Sequence, residues 1–81
     1  DKMLWEALRR KRMELALEQT VPPYAIFHDS TLEEMVQKKP HTNEEFARLS
    51  GVGTHKLERY AHIFIDVLED HALQYGDVST G

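Results

Sequence analysis

The sequence contains no cysteine, and glycine and proline number only 4 and 3 among its 81 residues. A chain without cysteine has no disulfide framework, no thiolate metal site and no cysteine nucleophile, and this favours a reducing compartment. Long apolar runs are also missing, and the amino-terminal stretch DKMLWEALRRKRM lacks the apolar centre of a secretory signal. These absences predict an intracellular, cytoplasmic protein with no membrane partner.

The composition predicts one small folded domain, because 81 residues with 41% apolar and 30% charged side chains suit a single core. The net charge of -4 is unevenly distributed. Residues 1–65 hold ten basic and ten acidic side chains, so the acidic surplus comes from Asp66, Glu69, Asp70 and Asp77. Nucleic-acid binding would therefore need a local basic patch, because the overall charge does not favour it.

The first half of the chain predicts helices separated by prolines. Lys2–Gln19 has no glycine or proline, and one face of this stretch carries Leu4, Leu8 and Leu15 at helical spacing. The run 20–23, Thr-Val-Pro-Pro, must end that helix, because neither proline can donate a hydrogen bond. Tyr24–Phe27 is a short apolar segment in which Ile26 and Phe27 are the better core candidates. A capping box at Ser30–Glu33 predicts the start of the next helix.

The second half continues the pattern of short connections between helices. Pro40 should end the preceding helix, and a second capping box at Thr42–Glu45 predicts a short helix that buries Phe46, Ala47 and Leu49. After Gly51-Val52-Gly53, a helix is predicted from Thr54 to about Tyr75. Its apolar face is formed by Leu57, Tyr60, Ala61, Phe64, Ile65, Val67, Leu68 and Ala72. The fold class is all-α, a compact bundle of about five helices over residues 1–75, followed by a polar tail at 76–81.

Four segments then occur in a specific order: a basic first helix beginning near Leu4-Trp5, the segment VPPYAIFHDSTLEEM, the proline at position 40, and LSGVGTHKLERYAHIFIDVL. Over nearly the whole chain this order closely resembles the HRDC domain, the helicase and RNase D C-terminal module found at the end of RecQ-family DNA helicases. The resemblance implies a non-catalytic five-helix bundle that helps an ATP-dependent helicase to engage single-stranded or structured DNA. It also implies a role in DNA repair, recombination and replication near the bacterial nucleoid.

The glycine turn is the first candidate for DNA contact. Gly51 and Gly53 precede a helix, as in helix-hairpin-helix proteins, where glycines let the backbone approach a phosphate and helix N–H groups face it. Lys56 and Arg59 follow within two turns, where the helix macrodipole disfavours cations, so a phosphate partner would explain them. The alternative interpretation is a tight turn between two packed helices, and the sequence leaves both open.

The remaining DNA candidates lie earlier in the chain. Four consecutive basic residues, Arg9-Arg10-Lys11-Arg12, wrap the whole circumference of a helix, and Glu6 and Glu14 should neutralise Arg10. This leaves Lys2 and Arg9 on one side of the helix. Tyr24 follows two stiff prolines and is a candidate to stack on an unpaired base, against the alternative of a core position.

The sequence supports a second class of function as well. Asp66, Glu69 and Asp70 lie toward the end of the last helix, where acids are disfavoured, and predict a docking or autoregulatory surface for the helicase core of the same chain or another protein. RNA in place of DNA is a third interpretation that the sequence cannot separate. None of the five histidines forms a metal-binding pattern, and no catalytic motif is present, so we expect no metal, no cofactor, no enzyme activity and a monomer.

Overall fold

Helices make up the secondary structure of residues 1–75, the part of the chain that this computed structural model describes. The elements are α1 at Lys2–Gln19, a 3-10 helix at Pro23–Ala25, α2 at Asp29–Lys38, α3 at Asn43–Ala47 and α4 at Thr54–Tyr75. The all-α prediction is confirmed: the described residues form four α-helices, and the 3-10 helix is the fifth helical segment. The polar tail predicted at 76–81 lies outside the described residues.

The two long helices, α1 and α4, run antiparallel beside each other. Near one end of the pair the Tyr60 hydroxyl donates a hydrogen bond to Gln19 Oε1 at 3.0 Å. Near the other end His71 Nε2 lies 3.1 Å from the Asp1 carboxylate. The predicted apolar face of α1 is confirmed by the burial of Leu4, Leu8 and Leu15.

Two alanines that the sequence predicts in the core are exposed instead. In α3, Phe46 is fully buried while Ala47 faces solvent, because a helix of five residues offers only one side to the bundle. Near the end of α4 the buried residue is His71, and Ala72 is exposed. The other predicted core positions of α4 are buried or half-buried.

Phe27 connects the segment after the prolines to the centre of the bundle. Its ring centroid lies 5.9 Å from that of Phe46, 5.8 Å from Tyr60 and 5.3 Å from Phe64. Steep angles between the planes, 58° to 83°, are the edge-to-face arrangements that aromatic rings prefer. Ile26 and Phe27 are each 1% exposed, which confirms them as the buried residues of this segment.

Arg12 is buried beneath that segment although it belongs to the basic quartet of α1. The residue is 8% exposed, and its Nη1 donates a hydrogen bond to the backbone oxygen of Phe27 at 2.9 Å. The same nitrogen lies 2.8 Å from the carboxylate of Asp29, the first residue of α2. Arg12 therefore holds the loop between α1 and α2 against the bundle.

We expect Arg12→Met to lower the free energy of unfolding by about 1–3 kcal/mol, because the Phe27 carbonyl would lose its buried partner. Arg10→Met is the matched control, since Arg10 is an exposed arginine of the same helix, and it should change stability by less than about 0.5 kcal/mol. Urea denaturation measures both. Equal stability of the two variants would contradict the role of Arg12.

The two predicted capping boxes have different outcomes. At α3 the prediction is confirmed, because Thr42 Oγ1 accepts a hydrogen bond from the N–H of Glu45 at 3.1 Å. The Glu45 carboxylate accepts from the N–H of His41, one residue earlier than the motif expects. At α2 the prediction is wrong: the helix begins at Asp29 with His28 as N-cap and no side-chain cap, so Ser30 lies inside the first turn.

Helices α1 and α2 both end on a residue in the left-handed conformation that is not glycine. Thr20 has φ 59° and ψ 48°, and Lys39 has φ 47° and ψ 62°. This conformation costs an L-residue about 1–2 kcal/mol, and glycine usually occupies it. α1 ends before the two prolines and α2 ends before Pro40, as the sequence predicts.

The turn between α3 and α4 is tied to α2. The Thr31 hydroxyl donates a hydrogen bond to the Ser50 carbonyl at 2.8 Å, and the Ser50 N–H donates to Glu34 Oε1 at 3.2 Å. Gly51 has φ +83°, and a Cβ placed on it would lie 2.8 Å from Thr31 Oγ1. A Cβ on Gly53 would meet no atom within 4 Å. Only Gly51 of the two therefore needs to be glycine for the fold.

Gly51→Ala should lower the free energy of unfolding by about 1–2 kcal/mol, because it adds a steric clash to an unfavourable φ. Gly53→Ala is the matched control and should change it by less than about 0.5 kcal/mol, since a poorer N-cap is offset by a less flexible unfolded chain. Thermal or urea denaturation of both variants tests the pair. A larger destabilisation by Gly53→Ala would reverse the assignment.

Candidate nucleic-acid interface

The 3-10 helix presents Tyr24 on a stiff corner of the surface. Pro22 is extended, Pro23 begins the 3-10 helix, and the N–H of Ala25 donates to the Pro22 carbonyl at 2.9 Å. Tyr24 is 60% exposed, and its ring stacks on that of His28 with centroids 6.0 Å apart and planes at 16°. A fixed, exposed phenol of this kind can stack on an unpaired base with little loss of side-chain freedom.

A groove beside Tyr24 opens at the N-terminus of α2. It is lined by Arg12, Pro23, Tyr24, His28, Asp29 and Ser30. Because His28 supplies no side-chain cap, the first turn of α2 keeps the positive end of the helix dipole open to this groove. The Asp29 carboxylate, 70% exposed, partly offsets that charge and the charge of Arg12.

Lys56 and Arg59 lie against the aromatic rings of the core. Lys56 Nζ is 5.6 Å from the centre of the Phe27 ring, and Arg59 Cζ is 5.6 Å from the centre of the Tyr60 ring. Since Phe27 and Tyr60 pack on each other, the two cations share one region, and Lys56 lies beside the segment that carries Tyr24. These cation–π contacts stabilise both residues, although the helix macrodipole disfavours cations near the start of α4.

The glycine turn offers an open backbone only at Gly53. Gly51 faces Thr31 of α2, whereas the position of a Cβ on Gly53 is empty and the next residue begins α4. Ser50 lowers the pKa of Glu34 through hydrogen bonds from its side chain and its backbone N–H, and Lys38 adds to the effect. Glu34 is therefore held as a carboxylate that anchors the turn to α2.

Arg9 and Lys2 are less favourably placed than the sequence predicts. Arg9 Nη1 pairs with Glu6 at 3.6 Å, and Lys11 Nζ pairs with Glu14 at 2.9 Å. The predicted neutralisation of Arg10 by these two glutamates is wrong, because the acids reach the residues three positions away instead. Arg9 still lies one turn from Arg12.

Lys2 does not join the Tyr24 region. Ten residues of α1 separate it from Arg12, a distance of about 15 Å along the helix axis. It lines a groove between α1 and α4 together with Asp70 and His71. The structure therefore places Lys56 and Arg59 over two packed rings, Phe27 and Tyr60, and leaves Lys2 at the other end of α1.

The acidic residues of α4 lie close to basic residues of α1. Asp66 and Asp70 line a shallow groove with Lys11, and Glu69 is exposed on the same half of α4. Burial lowers the pKa of His71 at this end of the helix, and the positive charge of Lys39 adds to the effect. Exposed apolar side chains occur at the same end of the bundle: Met3, Leu73 and Tyr75.

One basic groove is not predicted by the sequence. At the end of α2, Lys38, Lys39 and His41 meet Arg48, which follows α3. The sequence signal for it is the run Lys38-Lys39 before Pro40, but Arg48 is nine residues beyond Lys39 and no helical periodicity connects them.

Metal-binding clusters and membrane-spanning helices are both absent from the described part of the chain. Among residues 1–75 no three histidine, aspartate or glutamate side chains converge to hold a metal ion. Within the same residues no helix is long and apolar enough to cross a membrane.

Comparison with known proteins identifies the family. The model of the HRDC domain matches residues 1–68, and the chain therefore belongs to the HRDC domain family. It is 41% identical over 71 residues to the ATP-dependent DNA helicase RecQ of Haemophilus influenzae, covering 88% of this chain and 12% of that protein. The RecQ helicase of Bacillus subtilis is 41% identical over 69 residues, with 85% of this chain and 12% of that protein covered.

The chain is also similar to a helicase with another name. The ATP-dependent DNA helicase UvrD2 of Mycobacterium tuberculosis H37Rv is 35% identical over 69 residues, covering 85% of this chain and 9% of that protein. The chain thus corresponds to about a tenth of the length of these relatives, and HRDC is an accessory domain within them.

The cation–π contacts lead to a prediction about stability. Lys56→Glu combined with Arg59→Glu should lower the free energy of unfolding by about 1 kcal/mol. Two ring contacts of about 0.5–1 kcal/mol each are lost, and only position 56 gains about 0.3–1 kcal/mol from the dipole, because Arg59 lies beyond the first turn of α4. Glu58→Lys is the control, a charge reversal on the same turn at an exposed residue. Urea denaturation measures both, and an unchanged or raised stability of the double variant would show that the ring contacts stabilise nothing.

Proposed function

We propose that this chain is the HRDC domain of a RecQ-type DNA helicase and that it binds single-stranded or structured DNA weakly, without catalysis of its own. In this way it influences which DNA the helicase engages. The single observation that carries the proposal is the exposed Tyr24 on its proline-stiffened corner, three residues before the Phe27 ring that Lys56 covers. The names of the similar helicases support it, because they act on DNA.

The proposed binding mode assigns a role to each residue. Tyr24 stacks on one base. Lys56, over the Phe27 ring, and Arg59, over the Tyr60 ring, each contact a phosphate. Both cations remain available, because a cation over a ring face keeps its other side toward solvent. The open backbone at Gly53 lets a phosphate approach the start of α4, and Gly51 shapes the turn.

Arg9 and Lys2 contribute less in this proposal. Arg9 would have to leave Glu6 to reach DNA, which costs little for an exposed pair. Lys2 reaches DNA only if the strand extends along α1. Because residues 1–65 carry no net charge, the long-range attraction to DNA is weak. The dissociation constant for DNA should therefore be in the micromolar range or weaker.

Docking to protein is the second candidate function, and a specific observation favours it. The acidic half of α4 that carries Asp66, Glu69 and Asp70 also carries exposed Leu73 and Tyr75. Acidic residues around exposed apolar side chains suit a surface that packs on the helicase core of the same chain or on another protein.

Fluorescence anisotropy of labelled single-stranded, duplex and forked DNA over a salt series tests the proposal. Tyr24→Ala should weaken binding of single strands about tenfold or more, since stacking on one base is worth about 1–3 kcal/mol. Tyr75→Ala is the matched control, because Tyr75 is similarly exposed at the far end of α4 and should bind as the wild type does.

Three results would count against this function. Equal binding by Tyr24→Ala and the wild type would remove the stacking role. A salt dependence near zero would remove phosphate contacts altogether. If the domain binds no DNA while neutralising Asp66, Glu69 and Asp70 changes the activity of the full helicase, docking replaces DNA binding.

A further inference from the structure

The groove at the end of α2 gathers positive charge from two separate segments. Lys38 and Lys39 come from the end of α2, and Arg48 follows α3, with His41 between them in sequence. Among the described residues, the only acid that lines the groove is Glu45, whose Oε1 accepts a hydrogen bond from the N–H of His41 at 2.8 Å. Three permanent cations thus face one carboxylate that is already occupied.

These cations are poorly neutralised by the protein itself. Lys38 Nζ lies 3.5 Å from Glu34, a long contact, and Glu34 also accepts a hydrogen bond from Ser50. Within residues 1–75 neither Lys39 nor Arg48 forms an ion pair, whereas Arg9, Lys11 and Arg12 on α1 each do. The groove is therefore a local basic patch on a domain whose first 65 residues are neutral overall.

The macrodipole explains some of these residues but not all. Lys38 lies in the last turn of α2 and Arg48 at the end of α3, where cations are favourable. Lys39, however, adopts the left-handed conformation, in which glycine would be less strained. That strain is not specific to a cation, because Thr20 adopts the same conformation at the end of α1, so the case for Lys39 rests on its place in the basic groove.

The groove lies on the same ridge of α2 as the Tyr24 groove. Ser30 lines the Tyr24 groove, Lys38 lines the basic groove, and Glu34 lies midway, so the three follow one another at four-residue intervals. The ten residues of α2 span about 15 Å, which corresponds to roughly two to five nucleotides of a single strand.

We propose that Lys39 and Arg48, supported by Lys38 and His41, form a second phosphate-binding site for a single nucleic-acid strand whose base is stacked on Tyr24. The strand follows α2 from the Tyr24 groove to the basic groove and passes over Glu34, whose carboxylate accepts a hydrogen bond from the N–H of Ser50. This inference rests on the proposed function, because Tyr24 fixes where the strand begins.

Strand length provides the test. The dinucleotide TpT, which carries a single phosphate, and an oligothymidine of about 12 nucleotides are titrated with the domain at low salt, since only the longer one spans both grooves. Lys39→Gln combined with Arg48→Gln should weaken binding of the longer strand about tenfold and leave the shorter one unchanged. For the longer strand, the plot of the logarithm of the binding constant against the logarithm of the salt concentration should be flatter for the variant. The slope should change by roughly 0.7 for each phosphate that these side chains no longer neutralise. The control, Arg10→Gln with Lys11→Gln, removes two cations of α1 and should bind both strands as the wild type does.

Lys39→Gly separates binding from stability. The change removes the ammonium group and relieves the left-handed backbone, so the melting temperature should hold or rise while binding of the longer strand weakens. Thr20→Gly makes the same backbone change at the end of α1 without removing a charge, and it should raise stability without affecting binding. A variant that is more stable and binds less cannot owe its defect to unfolding.

The outcomes distinguish the second site from the proposed function. If Tyr24→Ala weakens binding but Lys39→Gln with Arg48→Gln does not, the second site is wrong and the function stands. An equal weakening on both strand lengths would overturn the path along α2. If the wild type binds neither strand, the proposed function fails together with this site. Displacement of DNA from the wild type by a polyglutamate peptide, but not from the Lys39 and Arg48 variant, would assign the groove to acidic protein instead.

Discussion

The position of Phe27 is the constraint on which the rest of the arrangement depends. Its ring contacts aromatic rings from α3 and α4, and its backbone oxygen accepts a hydrogen bond from the buried Arg12 of α1. Each aromatic pair contributes about 0.5–1.5 kcal/mol beyond the burial of its area. Phe27 thus fixes the end of the segment that begins with the 3-10 helix, in which Tyr24 is exposed to solvent. Lys56 of α4 lies over the Phe27 ring.

Local sequence signals predict the elements of this fold well. Prolines follow the ends of α1 and α2, glycines separate α3 from α4, and Thr42 caps α3 as its motif indicates. The start of α2 is predicted wrongly, because the helix begins at Asp29 with His28 as its N-cap. Within its first turn Thr31 donates a hydrogen bond to Ser50, 19 positions away, and no local pattern contains such a tertiary contact.

The candidate site is predictable only in part for a related reason. The residues around Tyr24 and Lys56 in the sequence are enough to make them candidates, whereas the contact of Lys56 with the Phe27 ring is visible only in the structure. Lys2 shares a helix side with Arg9, but it lies at the opposite end of α1. Arg48 escapes prediction because its proximity to Lys39 arises from the packing of two loops. Exposed charges on a helix can form ion pairs of similar energy with several neighbours, so their partners are not predictable from the sequence. Arg9 pairs with Glu6, and Lys11 pairs with Glu14.

The antiparallel pairing of α1 and α4 determines how the domain is attached to a longer polypeptide. Asp1 and His71 lie side by side, whereas Gln19 meets Tyr60 about 27 Å away along α1. Asp1 and His71 therefore mark one pole of the bundle, and Lys56 and Arg59 lie toward the other. A module joined to further chain at this pole alone would present its opposite pole freely, and the length of the connecting segment would set the local concentration of that pole around its neighbours.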